Sequence, residues 1–420
     1  MPPDSGSTRL FSVCAKLDCS SFTKVTATAL VVRGHIALYV DNAAPSPGLP
    51  QTDLDSIADM FNSRLYAIDT TAFGRESDID DNQVVAVLMT PAVNKLVTAS
   101  TCQTSGFVAG FFFGADLDPA TANNSNYNHG EVFYSLVADP NGTLSCPHNA
   151  SAIKRLVPVT FIHEFQHMIS FNQHVLLRGQ EAEVLWLNEG MSHLAEELGG
   201  RSFGLGTSQF SDFAIGDVFN AYQYLDAPGD HFLLATEGIG TLAERGAMWL
   251  FVRYLVDQVK SPFDTTLAAT AAVTRKLEQT SLTGAANVVA QTGVGFDTLA
   301  TRWALANFVS DLDTVPGFTP PAVLKYTSWR FRTTYASLHN QSPGTFPKVF
   351  PLVPTVSAGE AVNVGGTLRA GSGVFHRVLQ APGAAGFTLL YGAPEAFVHI
   401  PGIAPLPPSV RSRLEIIRIR

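Results

Sequence analysis

Two histidines four residues apart inside an apolar stretch constrain this chain more than any other feature. The stretch is Val159-Thr160-Phe161-Ile162-His163-Glu164-Phe165-Gln166-His167-Met168-Ile169-Ser170-Phe171, an H-E-x-x-H motif with helical apolar spacing. A helix turns about 100° per residue, so His163 and His167 present their imidazoles on one face, a turn apart. That is the pair of ligands a tetrahedral zinc ion needs. Glu164 follows the first histidine directly and can lean over the metal's open position to take a proton from water. A motif this short also recurs by chance on ordinary core helices, so a second signal is needed. Trp186-Leu187-Asn188-Glu189-Gly190 opens another apolar-periodic segment. Glu189 comes 22 positions after His167 (189 − 167), enough to end one helix, turn and start a second beside it. A carboxylate from that second helix completes a His, His, Glu set with one position left for water. Three protein ligands plus water is the catalytic arrangement, whereas structural zinc is closed by four protein ligands.

HEFQHMISF followed by WLNEGMSHLAEE resembles the gluzincin metallopeptidases, the clan of thermolysin and aminopeptidase N, and WLNEG resembles the third-ligand segment of the aminopeptidase branch. The resemblance is closer to the hyicolysin-type secreted bacterial metallopeptidases. It extends upstream through IDTTAFGRESDIDDNQVVAVLMTPAVNKL and downstream through ERGAMWLFVRYLVDQ, covering roughly residues 52–307. It implies an α+β zincin fold with a mixed β-sheet lobe over 1–150 and a helical lobe over 151–320. It also implies one catalytic Zn²⁺ on His163, His167 and Glu189, with Glu164 as the base and a protein or peptide as substrate. Glu196, two turns beyond Glu189, matches an acidic position of the aminopeptidase branch and is expected to orient His163 or His167. His193 stands where thermolysin-like enzymes carry an Asp; it could donate toward a ligand or be a surface histidine. The strand over Glu131 to Tyr134 is implied to pair with substrate backbone; its plain alternative is a core strand with Phe133 inside. No G-x-M-E-N segment is present to hold a free α-amine, which points to an endopeptidase. The tyrosine that precedes a Glu-Lys-Gly-like segment in aminopeptidase-like enzymes is replaced by Ala243, before Glu244-Arg245-Gly246. Candidates for the missing transition-state donor are Tyr222, Tyr224 and His231. The competing reading is a catalytically weak or inactive metal-binding protein that uses the scaffold and its tail for binding.

At 420 residues the chain is too long for one small core, and two domains are expected. The composition changes near Pro316. Beyond it, short alternating runs such as Glu360 to Val364, Gly373 to Leu379, Phe387 to Tyr391 and Glu415 to Arg420 predict a small β-rich domain over 321–420. A net charge of −9 argues against nucleic acid as partner. Residues 247–256 form the longest apolar run, but Arg253 interrupts it, so no membrane span is expected. The N-terminal MPPDSGSTRLFSV does not read as a signal peptide, which leaves a cytosolic protein or a mature exported domain behind a new Met. The four cysteines favour export. Proximity suggests Cys14–Cys19 and Cys102–Cys146, with the other pairings and free thiols open.

Periodicity predicts strands over 26–41, 83–89, 106–114 and 130–139. It predicts helices over 52–66, capped by Thr52, and over 152–171, with Pro158 near its start or at a kink. Further helices are expected over 211–225, 241–258, 262–278 and 296–312. Asp78, Asp80 and Asn82 mimic the first positions of a calcium loop. Gln83 and Met89 stand where that loop needs Gly and Glu, so a polar turn is the expected reading and Ca²⁺ finds no support in the sequence.

Overall fold

Alternating β-branched residues draw the first forty residues into three antiparallel strands, β1 (Thr8–Cys14), β2 (Phe22–Arg33) and β3 (Ile36–Asp41). The computed structural model describes residues 1–235, 240–259, 266–358, 365, 368–383 and 413–419. Contacts divide the chain into two units. The first comprises Met1–Ala182, Ala195–Ala214 and Glu278–Ser281; the second comprises Glu183–Leu194, Ile215–Leu277 and Leu282–Arg420.

In the first unit, the turn between β2 and β3 needs Gly34. Its φ is 57°, and a Cβ there would fall 2.3 Å from Asn62 Oδ1. That same oxygen accepts from His35 N at 2.8 Å. The predicted helix over 52–66 is longer than expected. It runs as α1 (Gln51–Met60), a π-helical turn (Phe61–Leu65) and α2 (Tyr66–Ala72). Thr52 is not its cap; Pro50 is, with no side-chain bond, because the helix begins one residue earlier. β4 (Val85–Met89) is fully buried and lies parallel to β3 on one side and to β6 (Val132–Ser135) on the other. Such double coverage is why it reads as an unbroken apolar run. Two short helices follow β4, α3 (Pro91–Asn94) and α4 (Ala99–Thr104), each capped by a threonine hydroxyl. β5 (Gly110–Phe112) closes the sheet, antiparallel to β6, in the order β1-β2-β3-β4-β6-β5. The last two strands are thus shorter than their apolar runs, 106–114 and 130–139, suggested. Disulfides join Cys14 to Cys19 and Cys102 to Cys146. The second closes a 44-residue loop, for which chain entropy gives on the order of 4 kcal/mol of stabilisation.

α5 (Ala150–Phe171) starts at Asn149, whose side chain accepts from Ala152 N. Pro158 sits inside it rather than in its first turn. It costs one backbone bond there, and packing on both flanks outweighs the loss. Phe161 and Phe165 of α5 stack against Phe61, Tyr66 and Phe133, which glues the helix to the sheet and to α1–α2.

α6 (Leu185–Arg201) and α7 (Ser208–Asp226) each have residues in both units. The second unit is mostly helical: α8 (Leu242–Val259), α9 (Leu267–Glu278), α10 (Gly284–Thr292) and α11 (Phe296–Val309). The apolar run 247–256 lies in α8 and is buried all round, with Arg253 held 3.0 Å from Asp257. It is a core helix, and no described helix is long and apolar enough to cross a membrane. Trp186, Phe251, Phe296 and Trp303 pack as an aromatic cluster on it. Residues 262–265 of the expected 262–278 helix lie outside the described residues.

In the segment 321–420, α12 (Phe331–Gln341) comes first. A parallel pair follows, β7 (Thr355–Ala358) and β8 (His376–Leu379). The runs at 360–364 and 387–391 lie outside the described residues. The expected last strand is not one: residues 413–419 make no ladder. Ile417 and Ile419 pack instead on Val309, Phe318 and Leu324, so apolar burial and not pairing holds this end. The overall class is mixed α+β.

Candidate metal centre

α5 carries the two histidines on one face, and their Nε2 atoms stand 3.2 Å apart. Two nitrogens bound at 2.0–2.1 Å with a tetrahedral angle between them lie about 3.3–3.4 Å apart. The donor pair therefore has the spacing of two ligands on one ion. The helix is also fixed on the flank beside the histidines. Gln166, one of the motif's free positions, donates to Glu278 Oε1 at 2.6 Å, and Glu278 also lies 3.5 Å from His174, all fully buried. Just past the helix, Asn172 and Gln173 both donate to Arg75 O. These anchors stop the helix from rotating its histidines away.

His163 Nδ1 lies 2.7 Å from Glu196 Oε1. A carboxylate only accepts, so Nδ1 carries the proton and Nε2 keeps its lone pair for a metal. Glu196→Ala should weaken zinc binding about 10–100-fold. Chelator competition measures this, and an unchanged affinity would show that the bond does not orient the ligand. Asp69 is fully buried, and burial holds its carboxyl well above the usual carboxylate range.

Glu164 is 8% exposed, and its Oε2 accepts from Phe112 N at 2.9 Å. This ties the motif to the edge strand β5. For Glu131 to Tyr134, implied to pair with substrate, the plain alternative of a core strand holds. β6 is interior, with β4 and β5 on its two sides, and Phe133 is in the core. The open edge beside α5 belongs to β5, which the sequence marks only by GFF.

Glu189 and Glu196 lie seven residues apart on the continuous helix α6. That is two turns, about 10.5 Å, and nearly the same face. Gly190, next to Glu189, allows close packing on α8: a Cβ there would fall 2.7 Å from Met248 O. Glu189 forms an ion pair with Arg245. Arg245 was not among the expected site residues; its only signal was its place in the Glu-Arg-Gly segment. Glu244 beside it accepts from Thr241 N at 2.7 Å and from Phe232 N at 3.1 Å, fixing the start of α8. His193 is no surface histidine. It is 9% exposed, with Nδ1 2.8 Å from the buried Asp217.

Two of the three expected transition-state donors are engaged elsewhere. Tyr222 OH accepts from Lys348 N at 2.6 Å. Tyr224 is buried and stacked on Trp303, and burial pushes its hydroxyl pKa up. Both belong to the core because α7 turns its aromatic face inward. His231 is half-buried, against Tyr224.

No family model matches the chain. Over 144 residues it is 26% identical to the neutral metalloprotease ShpI of Staphylococcus hyicus. The match takes in 34% of this chain and 30% of that relative, so the chain spans under a third of the relative's length. The similarity is that of a distant relationship to a metalloprotease.

Proposed function

We propose that the protein is a zinc-dependent peptidase of gluzincin type, acting as an endopeptidase, with His163, His167 and Glu189 as metal ligands and Glu164 as general base. The observation that carries this reading is the pair of Nε2 atoms 3.2 Å apart, with the proton of one ring held by Glu196. Glu189, the third ligand in this reading, is carried by α6, the same helix as Glu196. The distant similarity to a neutral metalloprotease supports the same class.

Zinc, when bound, supplies Lewis acidity and makes water acidic enough to lose a proton near neutral pH. Glu164 takes that proton and passes it to the leaving amine, while Phe112 N–H holds its carboxylate in place. Glu196 keeps His163 in the tautomer that binds metal. β5 presents an open sheet edge on which an extended peptide can be laid as a further strand. Substrates are proteins or peptides, and two disulfides fit an exported enzyme.

The test is cleavage of casein by the purified chain. Activity should stop with a chelator and return with zinc. A protein that binds zinc and leaves casein intact would instead be a metal-binding scaffold.

A further inference from the structure

The turn that joins α2 to β4 brings Asp78 and Asp80 to Glu131, the residue just before β6. A ligand oxygen from each lies within 4.8 Å of the other two. Glu131 is only 2% exposed, and its Oε2 is buried with no hydrogen-bond partner among the described residues. Asp80 Oδ1 is in the same condition. The other oxygens are committed. Glu131 Oε1 accepts from Ile79 N at 3.1 Å and from the Ser77 hydroxyl. Asp80 Oδ2 accepts from Asn82 Nδ2 at 2.7 Å, and Asp78 Oδ1 from Gln83 N at 3.0 Å. Gly130 makes the approach possible, since a Cβ there would fall 2.6 Å from Asp80 Oδ2.

Buried carboxylate oxygens without donors are costly: burial pushes the carboxyls of Glu131 and Asp80 up from the usual carboxylate range, and a bound cation would relieve the same cost while keeping them charged. Arg9 is too little. Its Nη1 is 3.8 Å from Asp80 Oδ2, and its Nη2 donates to Asn128 O at 2.9 Å. One guanidinium against three carboxylates leaves two negative charges. The donor set is all oxygen, which suits a hard dication and not zinc. Three oxygens within 4.8 Å of one another can all reach one calcium ion at 2.3–2.6 Å, and calcium's flexible geometry tolerates an irregular set better than magnesium's octahedron.

We propose that Asp78, Asp80 and Glu131 bind one calcium ion. The chain supplies from β6 the acidic ligand that the loop's own twelfth position, Met89, does not offer. Calcium here ties the turn to the sheet. The segment it stiffens also gives Arg75 O to Asn172 and Gln173, just beyond the metal helix α5.

The full chain is stripped with a calcium-selective chelator, its zinc content is checked, and calcium chloride is titrated by calorimetry and by thermal melting, with magnesium chloride as control. We expect one calcium per chain with a dissociation constant of about 10⁻⁴–10⁻³ M. At about a hundred times that constant, the folded-to-unfolded ratio should rise about a hundredfold. Asp78→Asn and Glu131→Gln should each weaken binding at least about tenfold, since each removes a ligand charge. Asp78 is exposed, so its variant decides the matter if Glu131→Gln fails to fold. No calcium effect on the wild type, an equal effect of magnesium, or full calcium binding by Asp78→Asn would overturn the proposal.

Discussion

Replacing Glu164 by glutamine should leave zinc in place and lower kcat by about 10²–10⁴-fold, or about 3–5 kcal/mol of transition-state stabilisation. The amide has almost the shape of the acid. Its carbonyl oxygen can still accept from Phe112 N, the bond that holds Glu164 at 2.9 Å in the native chain. What it cannot do is take a proton from water and return it to the leaving amine. The loss therefore falls on the chemical step, and KM should change little. Zinc content and kcat on one peptide substrate, measured side by side, give the answer. An enzyme that keeps most of its turnover would make Glu164 a structural residue that only anchors β5.

His167→Ala should take the zinc content from about one ion per chain to nearly none, and activity with it. A three-ligand site that loses an imidazole keeps too few donors to hold the metal against water. Zinc should raise the melting temperature of the wild type, because an ion bound only by the folded state stabilises it, and should leave the variant unchanged. Metal analysis after dialysis is the direct measurement. Equal zinc in both proteins would remove His167 from the site and with it the proposed function. The two substitutions are complementary: one is expected to separate chemistry from metal, the other to abolish both.

Much of this architecture is local and was legible. A β-branched run interrupted by a turn at Arg33-Gly34 marked β2 and β3, and an unbroken apolar run marked the doubly covered β4. Spacing of three and four marked α5, α6 and α8, and the i, i+4 rule alone put His163 and His167 on one face. The single Arg253 in an apolar run was enough to tell a core helix from a membrane span, because such a charge can be buried only with a partner such as Asp257. Where local preference competes with packing, sequence misled. Pro158 pointed to a helix start or a kink; the helix starts earlier, at Ala150, and runs on through Pro158 to Phe171, with Phe161 packed on Phe133. The runs around Phe111 and Phe133 look alike, and only sheet order made one an edge and the other a core strand.

By itself, then, the sequence determined the long helices, the central strand and which donor atoms share a helix face, because these follow from backbone periodicity over a few residues; β1, α3, α4 and α12 it did not mark. The tertiary structure alone decided the partners. Glu196 falls to His163, Glu278 to Gln166, Arg245 to Glu189, and Glu131 to the Asp78–Asp80 turn. Those partners are separated by 33 to 112 positions. Nothing in a local pattern fixes which of several acids will meet a given base across such a distance. The choice is made when helices and strands pack, since each buried polar group must then find a partner among whatever the packing has brought within reach.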